Sequence, residues 1–336
     1  MPSTDSAANR AANRAADRAT NSAIAPSTAD SAAPGVTGGR NRSSKSRARR
    51  RRQLLAGAVM LAPFTVLVGV LLGWPIVWTF LLSFTNEELT GPTALHHQYI
   101  GITNFKNLLT SSDFLSSLWH SIEYLVGSAY IGQVVLGFLL ALLLRRCSRR
   151  VQAIVGAVVI TSWIVPEVIA AFMWFALLGQ NGVLQQALHA VGISYSTILT
   201  SHPILALNLA NAWRGVAFSM MLYMAALTAI PRELLEAAML DGASAWRRVV
   251  SIILPLIKGS ILVDVVLVTL ATLNDFTLIF TLTGGGPGNA SQVLSTYMYQ
   301  QGFVNYQIAY GTAVSVILLL VGVVLSIFYV RALRRS

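Results

Sequence analysis

The hydrophobic positions of the chain fall into six long runs, which short polar or basic segments separate. A helix that crosses the hydrocarbon core of a membrane needs about 20 apolar residues, because the core is about 30 Å thick and each residue rises about 1.5 Å. All six runs meet this length, at about 54–84, 117–144, 151–179, 203–229, 260–282 and 307–330. The first contains Trp74-Pro75, so we expect a kink or an early end there. The pattern therefore predicts an all-α integral membrane protein with six transmembrane helices.

Composition supports this prediction. Of the 336 residues, 54% are hydrophobic and only 11% are charged, which is too apolar for a soluble domain of this length. The net charge of +11 raises the question of a nucleic-acid partner. The basic residues stand between the apolar runs, however, so we interpret them as loop charges that orient the spans and expect no nucleic-acid partner.

The basic residues also predict which side each loop faces. They concentrate before the first run, in every second loop and after the last run: Arg49 to Arg52, Arg145, Arg146, Arg149, Arg150, Arg232, Arg247, Arg248, Lys258, Arg331, Arg334 and Arg335. The intervening loops contain a single lysine, Lys106. Since cytoplasmic loops carry the excess of arginine and lysine, both termini are expected to be cytoplasmic, in a multi-pass protein of the plasma (inner) membrane.

The chain divides into three predicted parts. Residues 1–52 contain few large apolar side chains and repeat Ala-Ala-Asn-Arg, so we predict a disordered basic cytoplasmic tail. Residues 53–116 would hold the first transmembrane helix and an extracytoplasmic segment. Residues 117–331 would form the membrane-embedded core, with the loop at 231–255.

The tail is predicted to be dispensable for the function of the membrane-embedded part. A chain that starts at Arg49 keeps the basic run that orients the first span, so we expect it to insert and to be active. Membrane-fraction level and activity, measured for this chain and for the full one, check this. Normal insertion with lost activity would show that the tail has a functional role.

One loop of the core carries a spaced motif. Between the fourth and fifth runs, at 231–255, the chain reads Glu-Ala-Ala, then glycine six positions after the glutamate, then Ile-x-Leu-Pro; the residues are Glu236, Ala237, Ala238, Asp241, Gly242, Ile252, Leu254 and Pro255. Residues 231–242 read as a short helix, with Pro231 at its start and Gly242 suited to its C-terminal cap. Its apolar side could pack on the protein's own spans or be covered by a partner.

This spacing resembles the EAA loop of type I ABC-importer permeases, and most closely the carbohydrate-uptake branch (maltose, trehalose and glycerol-phosphate systems). Further similar stretches are Trp74-Pro75, Pro166 with Trp174, Trp213-Arg214, the run Leu282 to Asn289, and Tyr297-x-Tyr299. The resemblance implies a type I importer permease fold and a half-transporter. Its partners would be a second permease, two ATPase subunits that dock on the 231–255 loop, an extracytoplasmic solute-binding protein, a sugar substrate and membrane lipid.

No cofactor is expected in the chain itself. A phosphate-binding loop requires Gly-Lys followed by serine or threonine, and none of the lysines follows a glycine. ATP and magnesium would therefore reside on the partner ATPases, and the chain would not be an enzyme. No metal-ligand spacing is present, and His96-His97 is interpreted as loop surface.

Polar side chains at comparable membrane depth form the candidate substrate pathway. From the run boundaries, Glu167 lies roughly 24 Å and Asn274 roughly 21 Å from the cytoplasmic end, and Arg214 roughly 16 Å from the outer end. Aromatic side chains could supply the apolar face that a sugar needs. The full candidate set is Asn274, Asp275, Phe276, Glu167, Arg214, Trp163 and Trp174. Asp275 and Phe276 enter it beside Asn274, because the resemblance places substrate contacts in the fifth span.

Two alternatives stay open at this point. Arg214 and one carboxylate could form a structural ion pair instead of lining the pathway. The solute could also differ from a sugar, for example glycerol phosphate or an amino acid, although an anion would favour more positive charge than Arg214 alone. A stand-alone secondary transporter is disfavoured, since that class often shows inverted repeats and broken helices, no internal repeat is found, and the motif spacing would be unexplained.

Overall fold

The computed structural model describes residues 60–96, 98–193 and 197–335, with side chains to residue 332. The predictions for residues 1–52 and for the start of the first span lie outside these residues. The helices are α1 (Met60–Leu82), α2 (Thr103–Thr110), α3 (Ser112–Arg145), α4 (Arg149–Ile164), α5 (Glu167–Leu178), α6 (Val183–Ala190), α7 (Pro203–Thr228), α8 (Arg232–Leu240), α9 (Ala245–Leu273), α10 (Thr277–Leu282), α11 (Leu294–Tyr299) and α12 (Ile308–Arg335). Single turns lie at Pro92–Leu95 and Ile198–Ser201, and a π-helical turn at Gln300–Val304 follows α11.

The all-helical prediction is confirmed for the described part of the chain, where β-structure is limited to one bridge between Thr85 and Tyr99. By length and apolar composition, five helical segments there could cross a membrane: α1, α3, α5 with α6, α9 and α12. The pair α7 and α8 would be a sixth, bent by 75° at its break. The residues from Gly69 onwards form one compact unit, and all contacts described below lie within it.

The predicted third span is not one helix. Helix α4 ends at Ile164 and α5 begins at Glu167, with Val165 extended (ψ 126°) and Pro166 between them. Proline lacks a backbone N–H, and its ring disfavours the helical conformation of the preceding residue. The prediction of a continuous helix over 151–179 was therefore wrong, and the break places Glu167 in the first turn of a new helix.

The start predicted for the fifth span, 260–282, was wrong, and so was the prediction that it is one continuous helix. Helix α9 already begins at Ala245, and it ends at Leu273, so residues 274–276 separate it from α10. No proline or glycine causes this break. The Asp275 side chain accepts hydrogen bonds from the Tyr124 hydroxyl (2.6 Å) and from the Leu278 N–H (3.4 Å), and the Ser295 hydroxyl donates to the Asp275 carbonyl (2.7 Å). Contacts with Tyr124 and Ser295, which are distant in sequence, therefore stabilise the break between α9 and α10.

Helices α3 and α7 approach each other closely along a glycine face. Residues Leu125–Val135 of α3 are π-helical. Gly127 and Gly132 lie in this segment, and Gly137 follows it in the α-helical part, so the three recur at five-residue spacing. A Cβ on Gly132 would overlap the Cβ of Ala212, and a Cβ on Gly137 would lie 2.7 Å from that of Ser219. Small residues allow such backbone contact between membrane helices. This packing fixes α7, and with it Arg214, against α3.

The glycine-rich run after α10 ends the helix. Helix α10 stops at Leu282, and Gly284, Gly285 and Gly288 all have positive φ angles. Residues with a Cβ rarely adopt this conformation. The chain then returns into α11, whose Leu294 and Tyr297 are buried against Phe114 of α3.

Candidate substrate pathway and coupling loop

A cavity of about 560 Å³ opens where the α4–α5 break faces α7 and the break after α9. The side chains around it come from α3, α4, α5, α7, α9 and α10: Gln133, Trp163, Glu167, Asn211, Arg214, Gly215, Phe218, Leu267, Val268, Ala271, Thr272, Asn274, Asp275, Phe276 and Thr277. Six of the seven predicted pathway residues therefore meet at one cavity, although they come from four separate segments of the chain.

Glu167 and Arg214 form an ion pair across the cavity, with 2.6 Å between Glu167 Oε1 and an Arg214 terminal nitrogen. Their side chains are 35% and 23% exposed, so both also face the open space. Arg214 Nε is buried and has no hydrogen-bond partner among the described residues. The two alternatives left open by the sequence are therefore compatible, because the same pair can hold α5 to α7 and line the cavity.

Asp275 is not paired with Arg214. Its carboxylate accepts from Tyr124 and from the Leu278 N–H, as described above. The cavity therefore contains one guanidinium group, already matched by Glu167, and a second carboxylate that two neutral donors hold. Its formal charge is negative by one unit.

Asn274 and Phe276 occupy the break after α9. The Asn274 amide donates to the Leu270 carbonyl (2.8 Å), and its side chain is exposed. Asn274 also borders a second cavity of about 310 Å³, between α1 and α12. Phe276 stacks on Phe280 and contacts the Tyr299 ring, each with 5.0 Å between ring centroids. Phe276 thus presents an aromatic face that its neighbours hold in place.

The two predicted tryptophans differ in position. Trp163, at the end of α4, is 47% exposed and lines the cavity. Trp174 packs edge-to-face on Trp213 and against the buried core around Leu207, and it does not line the cavity. Periodicity within one span cannot separate a cavity-facing from a core-facing tryptophan, because that depends on the neighbouring helices.

Sequence reasoning missed four polar residues of the cavity, namely Gln133, Asn211, Thr272 and Thr277. The first three are buried, and Asn211 donates a hydrogen bond to Ser128 (2.9 Å). The signal was available, since an amide inside an apolar run is as unusual as a charge. For Asp264, one turn inside the cytoplasmic end of the fifth run, the sequence favours a structural role. Its side chain accepts from Ser219 (3.0 Å) and Tyr223 (2.6 Å), which ties α9 to α7 and agrees with that role. The expectation that its charge reaches water at the membrane interface was wrong, because the side chain is fully buried.

The predicted short helix of the loop is α8. It begins at Arg232 rather than at Pro231, which has the extended ψ of 136° and caps the helix. Its end is a Schellman motif, since the Ala243 N–H bonds the Ala238 carbonyl and the Gly242 N–H bonds the Met239 carbonyl. Gly242 has φ +76°, as the predicted C-terminal cap requires. The loop geometry therefore depends on a residue at this position that adopts a positive φ angle.

Helix α8 has a packed side and an open side. Leu235 packs against the core cluster between α3, α7 and α9, and Ala238 is half-buried. Glu236, Ala237 and Asp241 are exposed. Two large apolar residues that the sequence reasoning did not select, Leu240 (90% exposed) and Trp246 (76% exposed), extend the open side.

The second half of the motif lies in a helix rather than in the loop. Ile252 belongs to the π-helical turn Val249–Ile253 of α9, and Leu254 and Pro255 open the regular α-helix that follows. The Leu254 N–H bonds the Val249 carbonyl, five residues back. This wider turn accommodates Pro255, which cannot donate to the helical ladder. The prediction that Ile252, Leu254 and Pro255 belong to a loop was wrong.

Comparison with known proteins agrees with this architecture. Residues 133–336 match the family described as "Binding-protein-dependent transport system inner membrane component". The diacetylchitobiose uptake system permease protein DasB of Streptomyces coelicolor is 31% identical over 89% of this chain and 93% of its own length. The trehalose/maltose transport system permease protein MalF of Thermococcus litoralis is 30% identical, over 84% and 95%.

A solved structure of a bacterial alginate ABC transporter, in complex with an alginate pentasaccharide-bound periplasmic protein, has a chain of the same fold. Its TM-score is 0.72 at 24% identity, over 86% of this chain and 96% of that one. Because the family match covers more than half of the residues, the chain belongs to the family of inner membrane components of binding-protein-dependent transport systems and is a permease subunit of an ABC importer.

Proposed function

We propose that this permease imports a neutral mono- or oligosaccharide, and that it forms the translocation pathway with a second permease subunit. Two ATPase subunits would hydrolyse ATP and dock on the 231–255 loop, and a solute-binding protein would deliver the sugar from outside. The chain itself would bind neither ATP nor magnesium and would catalyse no reaction. Relatives at 30–31% identity named for diacetylchitobiose and trehalose/maltose uptake support a sugar.

The observation that carries the proposal is the chemistry of the 560 Å³ cavity. A sugar ring presents hydroxyl groups at its edge and C–H surface on its faces. The cavity offers amides and hydroxyls from Gln133, Asn211 and Thr272, and aromatic faces from Trp163 and Phe276. Such a mixture of apolar surface and a few polar groups is typical of sites for polar neutral ligands.

The charge of the cavity argues against an anionic solute. Arg214 is its one guanidinium group, and that group is already paired with Glu167 at 2.6 Å, while Asp275 adds another carboxylate. A phosphate or carboxylate placed here would face uncompensated negative charge in a site of low dielectric. This matters because a protein of the same fold imports the acidic polysaccharide alginate. Glycerol phosphate and acidic sugars therefore remain the second candidates, and the cavity disfavours them.

Movement at the docking loop has a direct route to the cavity. Helix α9 starts three residues after Gly242 and runs without a full interruption to Leu273, beside Asn274. The Asp264 contacts with Ser219 and Tyr223 attach it to α7, which carries Arg214. We infer that displacement of α8 by the ATPases moves both walls of the cavity. The helix breaks at Pro166 and after Leu273 are therefore compatible with an ABC importer and do not require a stand-alone secondary transporter.

We further propose six spans in the plasma (inner) membrane, with both termini cytoplasmic. The helices α4 and α5 would together form the third span, and α7 alone the fourth. The arginine-rich end of α3 and the arginine-rich start of α9 would face the cytoplasm, as the distribution of basic residues favours.

Uptake by the assembled transporter tests the function. Labelled neutral mono- and disaccharides should accumulate in an ATP-dependent manner, and sn-glycerol 3-phosphate and uronate oligosaccharides should not compete. Competition by the anions alone would instead support the second candidates. Uptake that continues without the ATPase subunits would contradict an ABC importer.

Residues at the α9 break are expected to affect apparent affinity. Asn274→Ala removes one amide and Phe276→Ala one aromatic face from the cavity, so each should raise the half-saturation concentration several-fold without preventing assembly. One hydrogen bond to a neutral ligand contributes about 0.5–1.5 kcal/mol. Trp174→Phe is the matched control, since Trp174 faces the core. Unchanged uptake kinetics with a lowered melting temperature would remove Asn274 and Phe276 from the pathway.

A further inference from the structure

A basic groove of about 440 Å³ lies between the end of α3, the inner side of α8 and the start of α9. Four arginines line it, namely Arg145 and Arg146 of the α3 end, Arg232 of α8 and Arg248 before the π-helical turn. Its one acidic residue is Glu236. Four guanidinium groups and one carboxylate leave the groove three formal positive charges.

The arginines of this groove have no ion-pair partner among the described residues. No carboxylate there lies within ion-pair distance of any of the four, and no hydrogen bond involves their guanidinium groups. They come from three helical segments on two connections of the chain, so the fold, rather than a single basic run, brings them together. Like charges repel one another, which makes such a cluster costly unless an anion joins it.

The rest of the lining is apolar. The side chains of Leu142, Leu235, Met239, Val249 and Ile253 form the other wall of the groove. Helix α3 leaves its apolar run at this point, because Leu136–Arg145 is apolar up to its terminal arginine. In the proposed orientation the groove therefore lies at the cytoplasmic membrane interface, where anionic lipid headgroups are concentrated.

We propose that this groove binds an anionic phospholipid, with the phosphate group among Arg145, Arg232 and Arg248 and the acyl chain against the apolar wall. Guanidinium groups donate in pairs to phosphate oxygens, which suits a phosphodiester better than a single carboxylate. An acidic protein segment would match the charges but would not account for the apolar half of the groove. A lipid matches both. The site contacts the inner side of α8. Lipid binding would therefore make the position of this docking helix depend on the headgroup composition of the membrane.

Native mass spectrometry of the full chain tests the proposal. The protein is released from nanodiscs that contain equal amounts of phosphatidylglycerol and phosphatidylcholine with the same acyl chains, and the retained lipids are counted. We expect phosphatidylglycerol to be retained in preference. The double variant Arg145→Gln/Arg248→Gln should retain it about tenfold less, because hydrogen bonds to charged groups are lost.

The matched control is Arg149→Gln/Arg150→Gln, which removes the same number of charges, both from the connection that holds Arg145. Both of these residues are exposed and neither lines the groove, so this variant should retain the lipid like the unmodified chain. If the groove variant melts at a lower temperature than the control, the exposed Arg146→Gln alone should still reduce retention. Equal loss in both double variants, or equal retention of the two lipids, would overturn the proposal.

Two further arms separate the possible sources of the anion. Displacement of phosphatidylglycerol by excess inorganic phosphate would mean that the groove takes free phosphate and not specifically a lipid, which would overturn the lipid assignment. The same count on the chain assembled with its ATPase subunits should still show the lipid. Loss of the lipid on assembly would mean that a protein segment occupies the groove, and would also overturn the proposal.

Discussion

Leu240→Asp is expected to abolish uptake while the protein still reaches the membrane in normal amounts. Leu240 is 90% exposed at the end of α8, so an aspartate there disturbs no contact within the chain. If a partner covers this face, the substitution loses about 1.5–3 kcal/mol of apolar burial and adds a desolvated charge. The first of these terms alone weakens docking about tenfold to a hundredfold. Blue-native electrophoresis of the assembled transporter should show the ATPase subunits released.

The controls separate docking from folding. Leu240→Met keeps the apolar contact and should transport normally. Gly242→Asn should also be tolerated, because asparagine adopts positive φ angles far more readily than most residues, whereas Gly242→Val should disturb the loop through its strained backbone. Glu236→Lys reverses the charge of the motif glutamate and should reduce assembly as well. Normal assembly and uptake with both Leu240→Asp and Glu236→Lys would exclude the docking role of α8.

The parts of the fold that depend on local chemistry were predictable from the sequence. The short helix of the loop ends where Gly242 takes its positive φ, and α10 ends at Leu282, just before the glycine run. The convergence of Glu167, Arg214 and Asn274 was also expected, because residues at equal depth in adjacent spans are brought together by packing. In these cases the nearest neighbours in sequence, or the period of a helix, determine the outcome.

The parts that depend on contacts between distant segments were not predictable. Leu-Asn-Asp-Phe at 273–276 has no helix-breaking residue, and the interruption there rests on Tyr124 and Ser295, which are far away in sequence. The break at Pro166, in contrast, was signalled by the proline and could have been predicted. The π-helical turn before Pro255 also fits the chemistry of proline. Proline donates no N–H to the helix, and its ring needs the space that the wider turn supplies.

The α3–α7 interface lies between these two cases. Three glycines at five-residue intervals, Gly127, Gly132 and Gly137, do not follow the α-helical period of 3.6 residues, so the sequence does not predict a common face. They share a face only because α3 is π-helical between Leu125 and Val135. A five-residue glycine repeat inside an apolar run can therefore be used to predict a π-helical segment that packs closely against another helix.

Substitutions in the Glu167–Arg214 ion pair should lower both stability and uptake, unlike the loop substitutions, which should affect docking and uptake. Arg214→Gln leaves the Glu167 carboxylate without its partner at membrane depth. Removing one member of a buried pair costs about 3–5 kcal/mol, and the 35% exposure of Glu167 to the cavity reduces this, so we expect about 1–3 kcal/mol. The single variant should therefore melt at a lower temperature in detergent and lose most of its uptake.

The double variant Glu167→Gln/Arg214→Gln decides whether the pair does more than hold α5 to α7. Two amides can replace the ion pair with a neutral hydrogen bond, so we expect the melting temperature to recover while the half-saturation concentration for the sugar stays several-fold above normal. Double-mutant cycles on both quantities separate the contributions, because the two residues are in direct contact. A double variant with normal uptake kinetics would assign the pair to structure alone. Glu167→Gln alone frees the guanidinium group and should let anionic solutes compete, since the pairing that opposes them is then absent.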